Sequence, residues 1–130
     1  MAPIYLDSSA ICKLVLAEDE SAALLRWLEQ RPERIASVLA KVETRRAARR
    51  AGVRGVMLRA EAVLARIALL EIDREIVERA SIMPPEDLRS LDAIHLAAAL
   101  PVPGLSEFVT YDRRLAEAAG SAGLLVVSPA

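Results

Sequence analysis

Short apolar runs alternating with longer helical stretches along a 130-residue chain predict an α/β fold, a parallel sheet covered by helices on both faces. Three observations carry this. The runs Ile4–Leu6, 34–37, 69–72, 107–110 and 124–127 are too short for helices, and each is followed or bounded by a turn or cap residue. The segments between them place apolar residues at three-to-four spacing. Hydrophobic residues make up 54% of the chain, which supplies a core for one domain spanning 1–130.

The elements follow in order. Ile4–Leu6 reads as a buried strand ended by Asp7, with a helix over 10–16 capped by Ser8 or Ser9. Acids at 18–20 suit the start of a helix over 21–30, whose apolar side draws on Ala22, Leu25 and Leu28, with Ala23 and Trp27 beside them. Pro32 ends it. A strand over 34–37 leads into a helix over 38–51, with Leu39, Val42, Ala47 and Ala51 on its buried side and Gly52 as C-cap. A helix over 54–69, with Met57, Ala60, Val63, Leu64 and Ile67 as its core stripe, forms a hairpin with it. Strand 69–72, a helix over 74–81 capped by Asp73, and the Pro84-Pro85 loop come next. A helix over 90–100 is stopped by Pro101 and Pro103. Strand 107–110, a helix over 113–119 ended by Gly120, and strand 124–127 close the chain.

Composition excludes several classes. No uncharged apolar run is long enough to span a membrane, and no basic segment precedes an apolar one at the N-terminus, so a cytoplasmic protein without a secretory signal is expected. The single Cys12 has no partner for an internal disulfide, in keeping with a reducing compartment, and its apolar neighbours suggest a core position. Net charge is −1, yet 41–59 holds seven basic residues and one acid, a local stripe able to meet a polyanion.

Four acids stand out by position. Asp7 and Asp112 each follow a strand, where open α/β sheets bind ligands. Asp92 opens an apolar helix, and Glu43 lies near the start of the basic one. Each has a plainer reading as a cap, a first-turn acid or a surface ion-pair partner. Four carboxylates meeting at one sheet edge repel unless a cation lies between them, and hard oxygen donors suit Mg²⁺ or Mn²⁺. A basic face formed by Arg45, Arg46, Arg49 and Arg50 would then contact a nucleic-acid backbone, giving a metal-dependent phosphodiesterase. Ser8 and Thr110 either cap helices or hold a metal-bound water, the second being slightly favoured. His95, the lone histidine on an apolar helix, reads as a hydrogen-bonded core residue and is given no catalytic role.

The motifs Ile-Tyr-Leu-Asp-Ser-Ser-Ala at 4–10, Val42-Glu43 before the Arg-rich helix, Leu-Asp-Ala-Ile-His-Leu-Ala at 91–97 and Val-Thr-Tyr-Asp-Arg-Arg-Leu at 109–115 occur in an order that resembles PIN-domain ribonucleases, particularly VapC-type toxins of bacterial toxin–antitoxin pairs. That resemblance implies a three-layer α/β/α sandwich and Mg²⁺- or Mn²⁺-dependent endonucleolytic cleavage of RNA. It implies Asp7, Glu43, Asp92 and Asp112 as the acidic metal-binding quartet, a VapB-type antitoxin partner and a homodimer. Some relatives carry a further acid or hydroxyl just after the last Asp. Here Arg113 and Arg114 follow, which leaves that corner thinner. The competing expectation is a catalytically silent PIN-like module that binds RNA or protein. A phosphatase of the haloacid dehalogenase type needs a second Asp where Ser9 stands, and a receiver domain needs a Lys after a late strand, where this chain has none.

Overall fold

A computed structural model describes residues 2–130. Five strands, β1 (Ile4–Leu6), β2 (Arg34–Ser37), β3 (Ala68–Leu70), β4 (Glu107–Val109) and β5 (Val126–Val127), form one sheet in the order β3-β2-β1-β4-β5. Every pairing is parallel, with Tyr5 opposite Ile35 on one side and Phe108 on the other. The helices are α1 (Ser8–Val15), α2 (Ser21–Leu28), α3 (Val38–Ala51), α4 (Val56–Leu64), α5 (Arg74–Ser81), α6 (Ser90–Ala99) and α7 (Arg113–Ser121). Among the described residues, no helix is long and apolar enough to cross a membrane.

Alternation along the strands builds the two cores. Ile4, Leu6, Ala36 and Val109 face α1 to α4, together with Ile11, Leu24, Leu28, Ala48, Ala60 and Leu64. Tyr5 and Phe108 face the opposite way, against Ile76, Leu96, Ala97, Leu115 and Ala119. The result is the expected three-layer α/β/α sandwich. β2 and β4 flank β1 and the chain reverses direction of travel across the sheet there, so the crevice at the carboxyl end of β1 is the topological switch point.

Several boundaries differ from the sequence reading. α1 starts at Ser8, and its cap is Asp7 rather than Ser8 or Ser9: Asp7 is extended and accepts the Ala10 N–H at 2.9 Å, while both serines are already helical. α2 ends at Leu28 and buries Leu24 and Leu28, leaving Leu25 56% exposed. α3 has the expected ends, but its inward face is Ala40, Thr44 and Ala48, with Val42 outside. Small residues suit that face because α1 and α4 both pack on α3. α4 starts at Val56 and stops at Leu64, since residues 68–70 are taken by the ladder to β2 and Ile67 tucks into the core between. α7 runs through Gly120 to Ser121. β3 and β5 are shorter than expected and α6 ends one residue early. Cys12 is only partly buried.

Gly52 ends α3 in the left-handed region, φ 62°, with its N–H bonded to the Ala48 carbonyl. No atom beyond Gly52 and its two chain neighbours lies within 4 Å of a Cβ placed there, so the cost of Gly52→Ala is backbone strain alone. That variant is expected to lose about 1 kcal/mol in urea unfolding with an unchanged m-value.

Candidate active site

A cleft of about 630 Å³ opens at the switch point, lined by residues that include Asp7, Ser8, Glu43, Arg89, Asp92 and Asp112. The four acids singled out from the sequence therefore reach one cavity from four elements. Asp7 ends β1, Glu43 projects from the second turn of α3, Asp92 lies in the first turn of α6, and Asp112 caps α7 by accepting the Leu115 N–H at 3.0 Å. For Asp7 and Asp112 the plain capping reading and the cleft reading both hold, because a cap at a strand end faces the crevice.

Asp7 is 3% exposed and held by three donors. Its Oδ1 accepts the Ala10 N–H and the Ser9 hydroxyl at 2.7 Å, and its Oδ2 accepts the Thr110 hydroxyl at 2.6 Å. Thr110 Oγ1 in turn accepts the Asp112 N–H at 3.0 Å, and Ser9 Oγ accepts the Tyr111 N–H at 2.9 Å. These bonds lace the end of β1 to the end of β4. Burial pushes the Asp7 carboxyl up, against the opposing pull of its donors. Asp92 is also pushed up, first by burial and then by the neighbouring charge of Asp112.

Glu43 is tied in differently. His95, 1% exposed on α6, places Nε2 at 2.7 Å from Glu43 Oε1, and the Ser8 hydroxyl donates to the same oxygen. Burial pushes the Glu43 carboxyl up, but the bonds from His95 and Ser8 outweigh it and hold the group below the usual carboxylate range. On its far side His95 Nδ1 meets the Tyr5 hydroxyl at 2.9 Å, and that hydroxyl accepts the Ser37 N–H at 3.1 Å. His95 is thus the hydrogen-bonded buried residue expected from the sequence. Tyr5 was not singled out there. The available signal was a hydroxyl-bearing ring in an otherwise apolar buried strand, which demands a partner.

Arg89 was also missed. Its guanidinium lies 3.9 Å from Asp92 Oδ2 and 3.7 Å from Asp112 Oδ2, on a side chain 72% exposed. The four Arg of the α3 stripe separate into two groups. Arg45 makes two bonds to Glu61 of α4, at 2.9 and 2.7 Å, and so braces the hairpin. Arg46, Arg49 and Arg50 are exposed and take no hydrogen bond or ion pair among the described residues. Arg46 and Arg50 lie three and seven residues beyond Glu43, on the same side of the helix.

The donor chemistry fits a hard cation: carboxylate oxygens dominate the cleft, with one imidazole and hydroxyls around them. Among the described residues, no three His, Cys, Asp or Glu side chains are drawn together around one point. Glu43 leans to His95, and Arg89 supplies the positive charge beside Asp92 and Asp112.

Comparison with known proteins agrees with this architecture. The PIN domain family model matches residues 4–121. Ribonuclease VapC46 of Mycobacterium tuberculosis is 43% identical over 137 residues, covering 99% of both chains. The crystal structure of Mycobacterium tuberculosis VapC20, described as a Sarcin-Ricin loop cleaving toxin, superposes with a TM-score of 0.74 at 23% identity, covering 97% of this chain and 99% of that one. A chain of a toxin-antitoxin complex from Klebsiella pneumoniae gives the same TM-score and identity, with 98% of each chain covered. With a family match across almost all of its elements and a relative of high identity from end to end, the chain belongs to the PIN-domain family.

Proposed function

We propose that this protein is a divalent-metal-dependent endoribonuclease, the toxin of a toxin–antitoxin pair, acting as a single domain over 1–130 in the cytoplasm. The observation that carries the reading is the arrival of Asp7, Glu43, Asp92 and Asp112 in one cleft at the switch point of a parallel sheet. The relative named a ribonuclease supports RNA as substrate. The same relative and the toxin-antitoxin complex support a VapB-type antitoxin as partner, and a homodimer is part of the proposal.

In this reading Asp7 and Asp92 would hold Mg²⁺ or Mn²⁺ most directly, and Glu43 and Asp112 would bind it through water or orient the attacking water. The bound cation supplies a lowered water pKa and offsets charge on the phosphate. Thr110 and Ser9 fix the Asp7 carboxylate, and Ser8 fixes Glu43. Arg46 and Arg50 carry the RNA backbone away from Glu43 along about 10 Å of α3. Arg49 adds to that face, and Arg45 contributes only as far as Glu61 leaves it charge to share.

Changing both Arg46 and Arg50 to Ala is expected to weaken RNA binding and to reduce the slope of log K against log salt by about 1–2. An unchanged slope in filter binding would remove the stripe from the RNA path. The competing reading is a binding module without catalysis, favoured by the absence of a preformed three-residue cage among the described residues. Antitoxin-free protein incubated with total cellular RNA separates the two. Products with Mg²⁺ or Mn²⁺ that vanish with EDTA support the nuclease, and intact RNA under every metal condition supports the binding module.

A further inference from the structure

Five groups form one continuous hydrogen-bonded line through the sheet and into the cleft. The Ser37 N–H donates to the Tyr5 hydroxyl, that hydroxyl meets His95 Nδ1, and His95 Nε2 meets Glu43 Oε1, where the Ser8 hydroxyl also donates. The line fixes a proton position. Among the described residues the buried Tyr5 O–H has one acceptor within reach, His95 Nδ1, so it donates there while its oxygen accepts from Ser37. The neutral imidazole is then protonated on Nε2, the nitrogen that faces Glu43 Oε1 at 2.7 Å and Ser8 Oγ at 3.1 Å. The Tyr5 ring is itself clamped, stacked on Phe108 with centroids 5.2 Å apart. Tyr5 and His95 are both almost wholly buried, so neither has water as an alternative partner. Among the described residues both hydrogen bonds to Glu43 fall on Oε1, and Oε2 takes none.

We infer that His95 is a positioning residue: held in its Nε2–H tautomer by Tyr5, it fixes Glu43 by one oxygen and leaves the other free for the cleft. The inference rests on the nuclease reading of that cleft for its effect on cleavage, but the hydrogen-bond line can be observed without any activity. His95 touches no reacting atom in this scheme. Its contribution is orientation, the part commonly played by the partner behind a carboxylate ligand.

Two side-chain amides divide the role of the ring. In His95→Gln the amide nitrogen reaches the Nε2 position and can still donate to Glu43, while the bond to Tyr5 is lost. In His95→Asn the amide sits at the Nδ1 position, which keeps a partner for Tyr5 and abandons Glu43. The test measures kcat and KM for RNA cleavage with Mn²⁺, and thermal midpoints, for wild type and both variants. His95→Asn is expected to lose about 10- to 100-fold in kcat with KM unchanged, and His95→Gln to recover most of that loss. Activity that simply follows thermal stability, with Gln no better than Asn, overturns the assignment.

The second arm needs no RNA. His95 is the only histidine in the chain, so its two ring nitrogens can be read by ¹⁵N NMR without overlap. Wild type is expected to show one tautomer, protonated on Nε2. Tyr5→Phe, which keeps the stacked ring and removes only the hydroxyl, is expected to show a mixture. A wild-type ring protonated on Nδ1, or a Tyr5→Phe spectrum identical to wild type, overturns the inference. Wild-type protein that cuts no RNA while showing the Nε2–H tautomer overturns the nuclease reading and the catalytic effect, and leaves the hydrogen-bond line standing.

Discussion

Replacing Asp7 with Asn is expected to reduce metal-dependent RNA cleavage by at least about 100-fold while raising the thermal midpoint in EDTA at pH 7. The first effect follows from the place of Asp7 at the floor of the cleft, where it is the most buried of the four acids. The second follows from the sign of its pKa shift. Burial raises the folded carboxyl above its ordinary 3.8, so across the window between the unfolded and folded values the folded state binds more protons. Stability falls as pH rises through that window, and above it the ionised group is a net cost. Asn removes the charge and keeps an oxygen to accept the Ala10 N–H, so α1 stays capped. The gain should shrink as pH falls through the raised folded value toward 3.8, the range in which folded wild-type Asp7 takes up its proton. Differential scanning calorimetry in EDTA at several pH values checks this. A variant less stable than wild type at pH 7 would show that the bonds from Thr110 and Ser9 outweigh desolvation.

The second large effect is on stability. Phe108 is fully buried on β4, pairs with Tyr5 across the ladder and stacks on its ring at 2° between planes. Phe108→Ala is expected to cost about 3–5 kcal/mol and to lower the midpoint by about 10–20 °C. The loss reaches the site, because the Tyr5 ring that fixes His95 loses its support. Cleavage measured well below the variant's midpoint should therefore still be lower than wild type, whereas Leu28→Ala, in the opposite core, should cost stability with little effect on kcat. Equal kcat losses in the two variants would show that the Phe108 effect is not local.

The helix ends that were legible in the sequence are those set by local chemistry. Gly52 and Asp73 mark the end of α3 and the start of α5 because a left-handed C-cap and an N-cap carboxylate each act within a few residues. Faces were harder to read. Three-to-four spacing put Leu25 and Leu28 inside on α2 and Val42 inside on α3, yet the buried positions are Leu24 and Leu28 on α2 and the small Ala40, Thr44 and Ala48 on α3. On α3 close helix packing selected for size, and hydropathy does not report size. The end of α4 was misread because the apolar pattern continues through 65–70, while strand pairing to β2 decides where the helix must stop.

In the candidate site, Asp7 and Asp112 were legible as acids at strand ends, since the α/β pattern alone fixes where strand ends point. Asp92 and Glu43 joined them by position, near helix starts beside that edge, and the order of the four motifs pointed to the same four residues. The partners of Glu43 were not legible at all: His95 is 52 residues away, and its approach depends on how α3 and α6 lie across opposite faces of the sheet. Arg89 was passed over because an exposed arginine before a helix has no signature of its own, and only the fold sets it beside Asp92 and Asp112.

The central claim is that these acids form a metal centre, and calorimetric titration of Mn²⁺ into antitoxin-free protein tests it most directly. Saturable binding in wild type, lost in Asp7→Asn and in Asp92→Asn while both variants remain folded, is the predicted result. Absence of binding in wild type, or the same affinity in all three proteins, would contradict it.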